Sequence, residues 1–259
     1  MSNSGHARAL RLAVFMVACL FGQGNLGFAA ESPDADRAAK LFKQALALRA
    51  QGHALEPQTI KLLQDAANLG QTEAQDIIGQ LYLNGAGLPR NSAEAFNWFK
   101  RAADGGLAMG QDHLANLYEN GVSTRTNLVM AFVLFQKAAE QGLADAQFDL
   151  AQVYREGRGV PTNNAFALRW YLKAALQGHP GAQVNLAGMY AEGEGVPRDV
   201  EEAYKWLTLA ILSGHPVADR NRKSLALTMS PEQIYEARKR VDAFRSATNA
   251  PAPPVKNQK

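Results

Sequence analysis

The sequence predicts an all-α protein: an α-solenoid of about five helix-turn-helix repeats of 36 residues, with a capping helix at each end. Two sets of observations carry this. Gly70, Gly106, Gly142, Gly178 and Gly214 recur every 36 residues; Ala66, Ala102, Ala138, Ala174 and Ala210 stand four residues before them, and Tyr82, Tyr118, Tyr154 and Tyr190 stand twelve after the first four. Between these columns the apolar residues follow helical spacing, as in Ala95, Trp98, Phe99, Ala102 and Ala103. A strict period of about 20–50 residues is the mark of stacked supersecondary units, each burying its apolar face against its neighbours.

The chain opens with Arg8 and Arg11, the apolar run Leu12 to Phe21, and a small-residue stretch ending Gly27-Phe28-Ala29-Ala30. This is the pattern of a secretory signal peptide over residues 1–30, cleaved after Ala29 or Ala30. Its apolar core is much shorter than the roughly 20 residues a bilayer-spanning helix needs. Gly22-Gln23-Gly24-Asn25-Leu26-Gly27 matches a dinucleotide fingerprint on paper, but no strand precedes it. Cys19, the only cysteine, lies in the apolar run after Met16-Val17-Ala18. It is read as part of the signal, with a lipoprotein-type anchor as the alternative. A mature chain without cysteine would be exported without disulfides.

Removing residues 1–29 takes Arg8 and Arg11 from 27 basic residues and none from 24 acidic ones, leaving 25 against 24. With no Lys/Arg run to track a phosphate backbone, nucleic acid is not an expected partner. An apolar content of 47% with 20% charged residues fits an ordered chain.

Ser32-Pro33-Asp34 starts a helix that Leu41, Phe42, Ala45, Leu46 and Leu48 continue to Gln51-Gly52. Residues 31–56 are expected to form an N-terminal helix covering the first repeat, and residues 57–245 the solenoid with its closing cap. In each unit helix A carries the stripe exemplified by Leu134, Phe135, Ala138 and Ala139, and the recurrent glycine ends it. Helix B follows, as in Ala146, Leu150, Val153 and Tyr154. The small column Gly79, Ala115, Ala151 and Ala187 leaves room for a large side chain of the neighbouring helix.

Gly-x-Gly-Leu/Val-Pro turns, such as Gly157 to Pro161, close helix B, and Asn91, Asn127, Asn163 and Asp199 are placed to cap the next helix A. Asn91 with Glu94 and Asp199 with Glu202 have the spacing of a capping box. The second unit departs at its exit, where Val122-Ser123-Thr124-Arg125 replaces the usual turn. The fifth unit turns polar at Arg220, Asn221, Arg222 and Lys223. Ser230-Pro231-Glu232-Gln233 then starts a closing helix with Ile234, Ala237, Val241 and Phe244 on one face, and residues 246–259 are a Pro-containing flexible tail.

The pattern Ala-x-x-Trp-Tyr/Phe-x-Lys-Ala-Ala-x-x-Gly, then Ala-Gln-x-x-Leu, then Tyr-x-x-Gly-x-Gly-Val-Pro, best seen from Ala167 to Pro197, resembles the Sel-one-like repeat (SLR) family. The resemblance implies a right-handed α-solenoid related to tetratricopeptide repeats, with helix A lining the concave side. It also implies a role as an adaptor for protein complexes. Exported bacterial members regulate envelope sensors, polysaccharide secretion or host interaction. The cysteines that staple each repeat in one exported subgroup are absent here.

No catalytic constellation is legible: Ser-x-x-Lys, Gly-x-Ser-x-Gly and His-Glu-x-x-His are all missing. His179 and His215 share a repeat position in Gly-His-Pro, which suits a turn, and His53 and His113 have no ligand-spaced companions. The protein is therefore expected to be no enzyme and to hold no metal or cofactor. Ligand specificity belongs instead to positions that break the repeat. The third position of helix A reads Glu94, Met130, Phe166, Glu202, and the sixth reads Asn97, Val133, Arg169, Lys205. Met130, Val133 and Phe166 are expected to form an apolar patch on the concave side, rimmed by Asn97, Arg169 and Lys205, that receives a partner peptide or helix. The alternative is that Met130 and Phe166 pack on the preceding unit's turn. A second functional reading, a binder of envelope polysaccharide or peptidoglycan, would use Trp98, Trp170 and Tyr171, but their place in the core stripe predicts that they are buried. The expected compartment is the periplasm, with secretion or lipid anchoring as alternatives.

Overall fold

The computed structural model describes residues 33–248, in which there are twelve α-helices and no strand. The expected signal segment, Cys19 and most of the expected tail lie outside the described residues. The lead-in helix is α1 (Pro33–Ala50). Five pairs follow: α2 (Pro57–Asn68) with α3 (Thr72–Asn84), α4 (Ser92–Asp104) with α5 (Ala108–Asn120), α6 (Leu128–Glu140) with α7 (Ala144–Glu156), α8 (Asn164–Leu176) with α9 (Pro180–Glu192), and α10 (Val200–Leu212) with α11 (Ala218–Ala226); α12 (Pro231–Thr248) closes the array. The even-numbered helices from α2 to α10 are the A helices, and α3 to α11 the B helices. The last helix runs to Thr248, three residues past the expected boundary, because nothing in Ser246-Ala247-Thr248 breaks it. The first proline of the tail comes only at position 251.

Each of the B helices α3 to α9 packs more extensively on the A helix of the following unit than on that of its own. The core clusters accordingly cross unit boundaries: Ala151 of α7 joins Tyr171 and Ala174 of α8, Leu186 of α9 and Trp206 of α10. Large and small columns interlock as their spacing predicts. A Cβ on Gly79 would come within 2.7 Å of the buried Phe99 ring, so that contact requires glycine. At the leading end, Leu41, Phe42 and Ala45 of α1 cover the cluster built on Leu63 and Ile78.

Two turns repeat along the chain. After helix A the recurrent glycine takes a left-handed conformation, with φ 96° at Gly142, and the following residue donates back to the alanine column, as in Leu143 to Ala138 and His179 to Ala174. After helix B the N-cap residue of the next unit donates its own N–H to the tyrosine column: Asn91 to Tyr82 O at 2.9 Å, Asn127 to Tyr118 O at 2.8 Å, Asn163 to Tyr154 O at 2.7 Å and Asp199 to Tyr190 O at 2.9 Å. The four side chains cap helix A as expected. The reciprocal half of the capping box is not made at Asn91 or Asp199, because the tyrosine carbonyl already holds the N–H that Glu94 or Glu202 would take. At Ser230 and Gln233, where no such carbonyl competes, both halves form, at 3.0 and 3.2 Å.

A buried glutamine column closes the A helices from the other side. The Nε2 groups of Gln75, Gln147 and Gln183 donate to Ala67 O, Ala139 O and Ala175 O at 3.0–3.1 Å. Gln141 and Gln177 reach across to Gln111 and Gln147, each at 2.8 Å. These bonds satisfy carbonyls at helix ends that would otherwise be buried without a donor.

The second unit's aberrant exit keeps the backbone path without the glycine. Ser123 has φ 59° where Gly87, Gly159 and Gly195 have 71–76°. At Gly159 a Cβ would lie 2.6 Å from the Leu128 backbone carbonyl. Opposite effects are therefore expected at equivalent positions. Ser123→Gly raises stability by about 0.5–1 kcal/mol by relieving a left-handed non-glycine residue. Gly159→Ala lowers it by at least about 2 kcal/mol, through strain and collision together. Urea unfolding of both variants checks this, and shifts of the same sign would contradict it.

Candidate partner-binding face

The A helices turn one stripe to the core and leave their third and sixth positions free. Met130 and Val133 of α6 are 43% and 38% exposed, and Phe166 of α8 is 42% exposed. Val129, 62% exposed, extends the patch. Asn127 and Asn163 fix the first turns by accepting from the N–H groups of Met130 and Phe166, each at 3.0 Å. The Phe166 ring also stacks on Tyr154 of the preceding unit, with centroids 5.2 Å apart and planes 25° apart, and the Arg169 guanidinium lies 5.9 Å from it. Phe166 thus packs on the preceding unit's B-helix tyrosine rather than on its turn, and still leaves 42% of its surface exposed.

Of the three rim residues, Asn97 and Arg169 are exposed. Asn97 lies with Glu94, Trp98, Lys100, Arg101 and Asp104 on one open face of α4. Lys205 does not belong to the rim. Its side chain is only 12% exposed, pairs with Glu202, and places its ammonium 4.6 Å from the Trp206 ring and 5.5 Å from Phe244. The docking of α12 onto α10 causes this, since it brings Phe244 onto Trp206 and Arg240 to Asp199 and Glu202.

The expectation that Trp98 and Trp170 are buried also needs correction. Trp206 and Tyr171 are buried at 1%, whereas Trp98 and Trp170 are half-buried. Trp206 is covered by the closing helix as well as by Lys205; in the central units a cation lies over the ring with no such cover, Arg101 at 4.7 Å from Trp98 and Lys173 at 3.8 Å from Trp170.

The B helices carry a polar cluster that the sequence did not disclose. Asp76 of α3 is fully buried and meets His113 Nδ1 of α5 at 2.7 Å. Asp112 beside it is 8% exposed, with Asn116 at 3.5 Å from one carboxylate oxygen and no side-chain or backbone donor on the other. Burial, reinforced by the charge of Asp149, pushes the Asp112 carboxyl up to about 7. Burial and the charge of Glu119 push Asp149 up to about 6. Burial works against the charged His113 ring, but the hydrogen bond and charge of Asp76 hold its pKa above the ordinary histidine value. His179, by contrast, caps α9 by accepting from Ala182 N–H at 3.0 Å, stacks on Phe148, and is lowered by burial. Among the described residues no group of three or more His, Cys, Asp or Glu is placed to hold a metal ion.

The pH dependence follows in sign. Between about pH 4 and 7 the folded chain keeps a proton on Asp112 that the unfolded chain releases, so stability falls as pH rises through that window. His113, raised in the folded state, contributes stability below its unfolded pKa that is lost at higher pH, in the same direction. The urea midpoint is therefore expected to be lower at pH 8 than at pH 5. Asp112→Asn should recover on the order of 2–4 kcal/mol at pH 8 and less than half of that at pH 5. A parent midpoint that rises over this range would contradict the assignment.

Among solved structures, the chain is similar to a Sel1 repeat protein from Oxalobacter formigenes, with 27% identity, coverage of 81% of this chain and 83% of that one, and a TM-score of 0.67. It is also similar in fold to c5321, a protective antigen present in uropathogenic Escherichia coli strains that displays an SLR fold, at 21% identity and a TM-score of 0.51; the match covers 87% of this chain and 62% of that one. No protein of curated function matches the sequence. The family model for the Sel1 repeat matches residues 72–107, 108–143, 144–179 and 180–215 without a gap, and residues 11–48, a match that begins ahead of the described residues and ends within α1. Each of the four contiguous matches takes in a B helix and the A helix packed most closely on it, and with five matches in all the chain belongs to the Sel1 repeat family.

Proposed function

We propose that this protein is an exported adaptor that binds a peptide or helix of a partner protein on the concave, A-helix face of its solenoid. Sel1 repeat proteins generally mediate protein–protein interaction, and the family is typically non-enzymatic. The observation that carries the reading is the exposure of Met130, Val133 and Phe166 on neighbouring A helices, where the flanking units place Glu94 and Glu202. Large apolar side chains left exposed on neighbouring helices are what a partner covers. The glycan alternative has less support, because Arg101 and Lys173 occupy the tryptophan faces on which a sugar would stack. Export rests on the signal pattern of residues 1–30, and no helix among the described residues is long and apolar enough to cross a membrane.

Replacing Met130, Val133 and Phe166 together with serine is expected to leave the unfolding midpoint within about 1–1.5 kcal/mol of the parent, the loss coming from the Phe166–Tyr154 stack. The same change should abolish the partner captured by crosslinking in intact cells. A large stability loss with capture unchanged would assign the three residues to packing alone. For export, protein recovered from the periplasm should begin at Ala30 or Glu31, read by N-terminal sequencing; a chain still beginning at residue 1 or 2 in the cytoplasm would rule it out.

A further inference from the structure

Charge is sorted between the two helix sets in the first four units, and the fifth reverses it, with α10 at −1 and α11 at +2. Helices α3, α5 and α7 each carry a net −2, whereas α2, α4 and α6 are neutral and α8 is +2 with no carboxylate at all. On the A helices the cations fall in register. Arg101, Lys137 and Lys173 hold one repeat position in three consecutive units, and the row stops at both ends, where Asp65 and Leu209 take that position. Arg169 adds a fourth cation beside Phe166. All four are exposed, and none has an ion pair among the described residues. The single carboxylate of α6, Glu140, is held by Gln136 Nε2 at 2.8 Å.

The row of cations and the apolar patch therefore occupy the same central units. The patch breaks the repeat, whereas the cations keep a repeat position that the end units give up to Asp65 and Leu209. Packing does not account for both: Phe166 rests one face on Tyr154, and Arg101 and Lys173 lie over the tryptophans of their own helices, yet all remain exposed and these contacts do not call for a positive charge in each unit. We infer that the partner segment is acidic: a stretch of Asp and Glu interrupted by one or two large apolar side chains, the carboxylates meeting Arg101, Lys137, Arg169 and Lys173 and the apolar groups covering Met130, Val133 and Phe166. A polyanion without apolar groups would satisfy the cations and leave the patch wet, so the combination selects a peptide. This rests on the adaptor reading above and specifies the chemistry of its ligand.

Panning a random peptide phage library on the mature protein tests both levels, with two variants first shown by urea unfolding to be fully folded under the binding conditions. One is the triple serine change at Met130, Val133 and Phe166; the other is Lys137→Gln with Lys173→Gln. The expected peptides are enriched in Asp and Glu with one or two large apolar residues. They should bind at least about tenfold more weakly to either variant, and more weakly as salt rises. Neutral or basic peptides, lost in the serine variant but indifferent to the glutamine variant, would overturn the acidic partner and leave the binding face standing. Peptides indifferent to both variants, or none recovered, would overturn both. Polyphosphate binding as tightly as the recovered peptides, and unaffected by the serine changes, would overturn the peptide in favour of a bare polyanion.

Discussion

The B helices α3 to α9 lean more on the A helix of the next unit than on that of their own, so the apolar core is built between units rather than inside them. Most of the recurrent chemistry follows from that constraint. Glycine at position 79 exists because Phe99 of the next unit presses against it. The tyrosine carbonyl of one unit holds the N-cap amide of the next, and Gln141 and Gln177 tie each A helix to the glutamine of the preceding unit. Polar bonds of fixed length across a boundary whose apolar contacts are non-directional set the register in which units stack. Stability in such an array is shared along the chain, since no unit has a complete core of its own.

The same constraint decides where variation is free. The third and sixth positions of the A helices stay largely open in the centre of the array, where Met130 and Val133 are exposed and Phe166, though stacked on Tyr154, is 42% exposed. At the closing end the equivalent residues are recruited into structure. With α12 laid on α10, Glu202 accepts from the Trp206 indole at 2.9 Å and pairs with Lys205, while Arg240 closes over Asp199. One repeat position is thus a surface in the middle of the solenoid and an interface at its closing end.

Much of the architecture was legible in the chain because it depends on local sequence. The glycine that ends each A helix, the Asn or Asp that caps the next, and the alternation of large and small columns all act within a few residues or at one fixed offset. The functional surface was legible in part. The departures at Met130, Val133 and Phe166 stand out against the repeat, and so does Arg169. The cation row of Arg101, Lys137 and Lys173 does not stand out in the same way, because lysine there belongs to the repeat pattern itself. The cluster of Asp76, Asp112, His113 and Asp149 gave no such signal: its members come from neighbouring columns of different units, and they meet only when three B helices are side by side.

The sequence by itself therefore determined the period, the helices, their ends and the existence of a closing cap, since each is set by backbone conformation and apolar spacing within one or two turns. The tertiary structure decided which side chains of equal sequence rank face water. Trp98 and Trp170 keep an edge under a cation while Trp206 is sealed by α12, and Lys205 is drawn inward while Lys137 and Lys173 stay out. The physical reason is that exposure belongs to what lies across the gap from a residue, and at an array's end that neighbour is no longer another copy of the repeat.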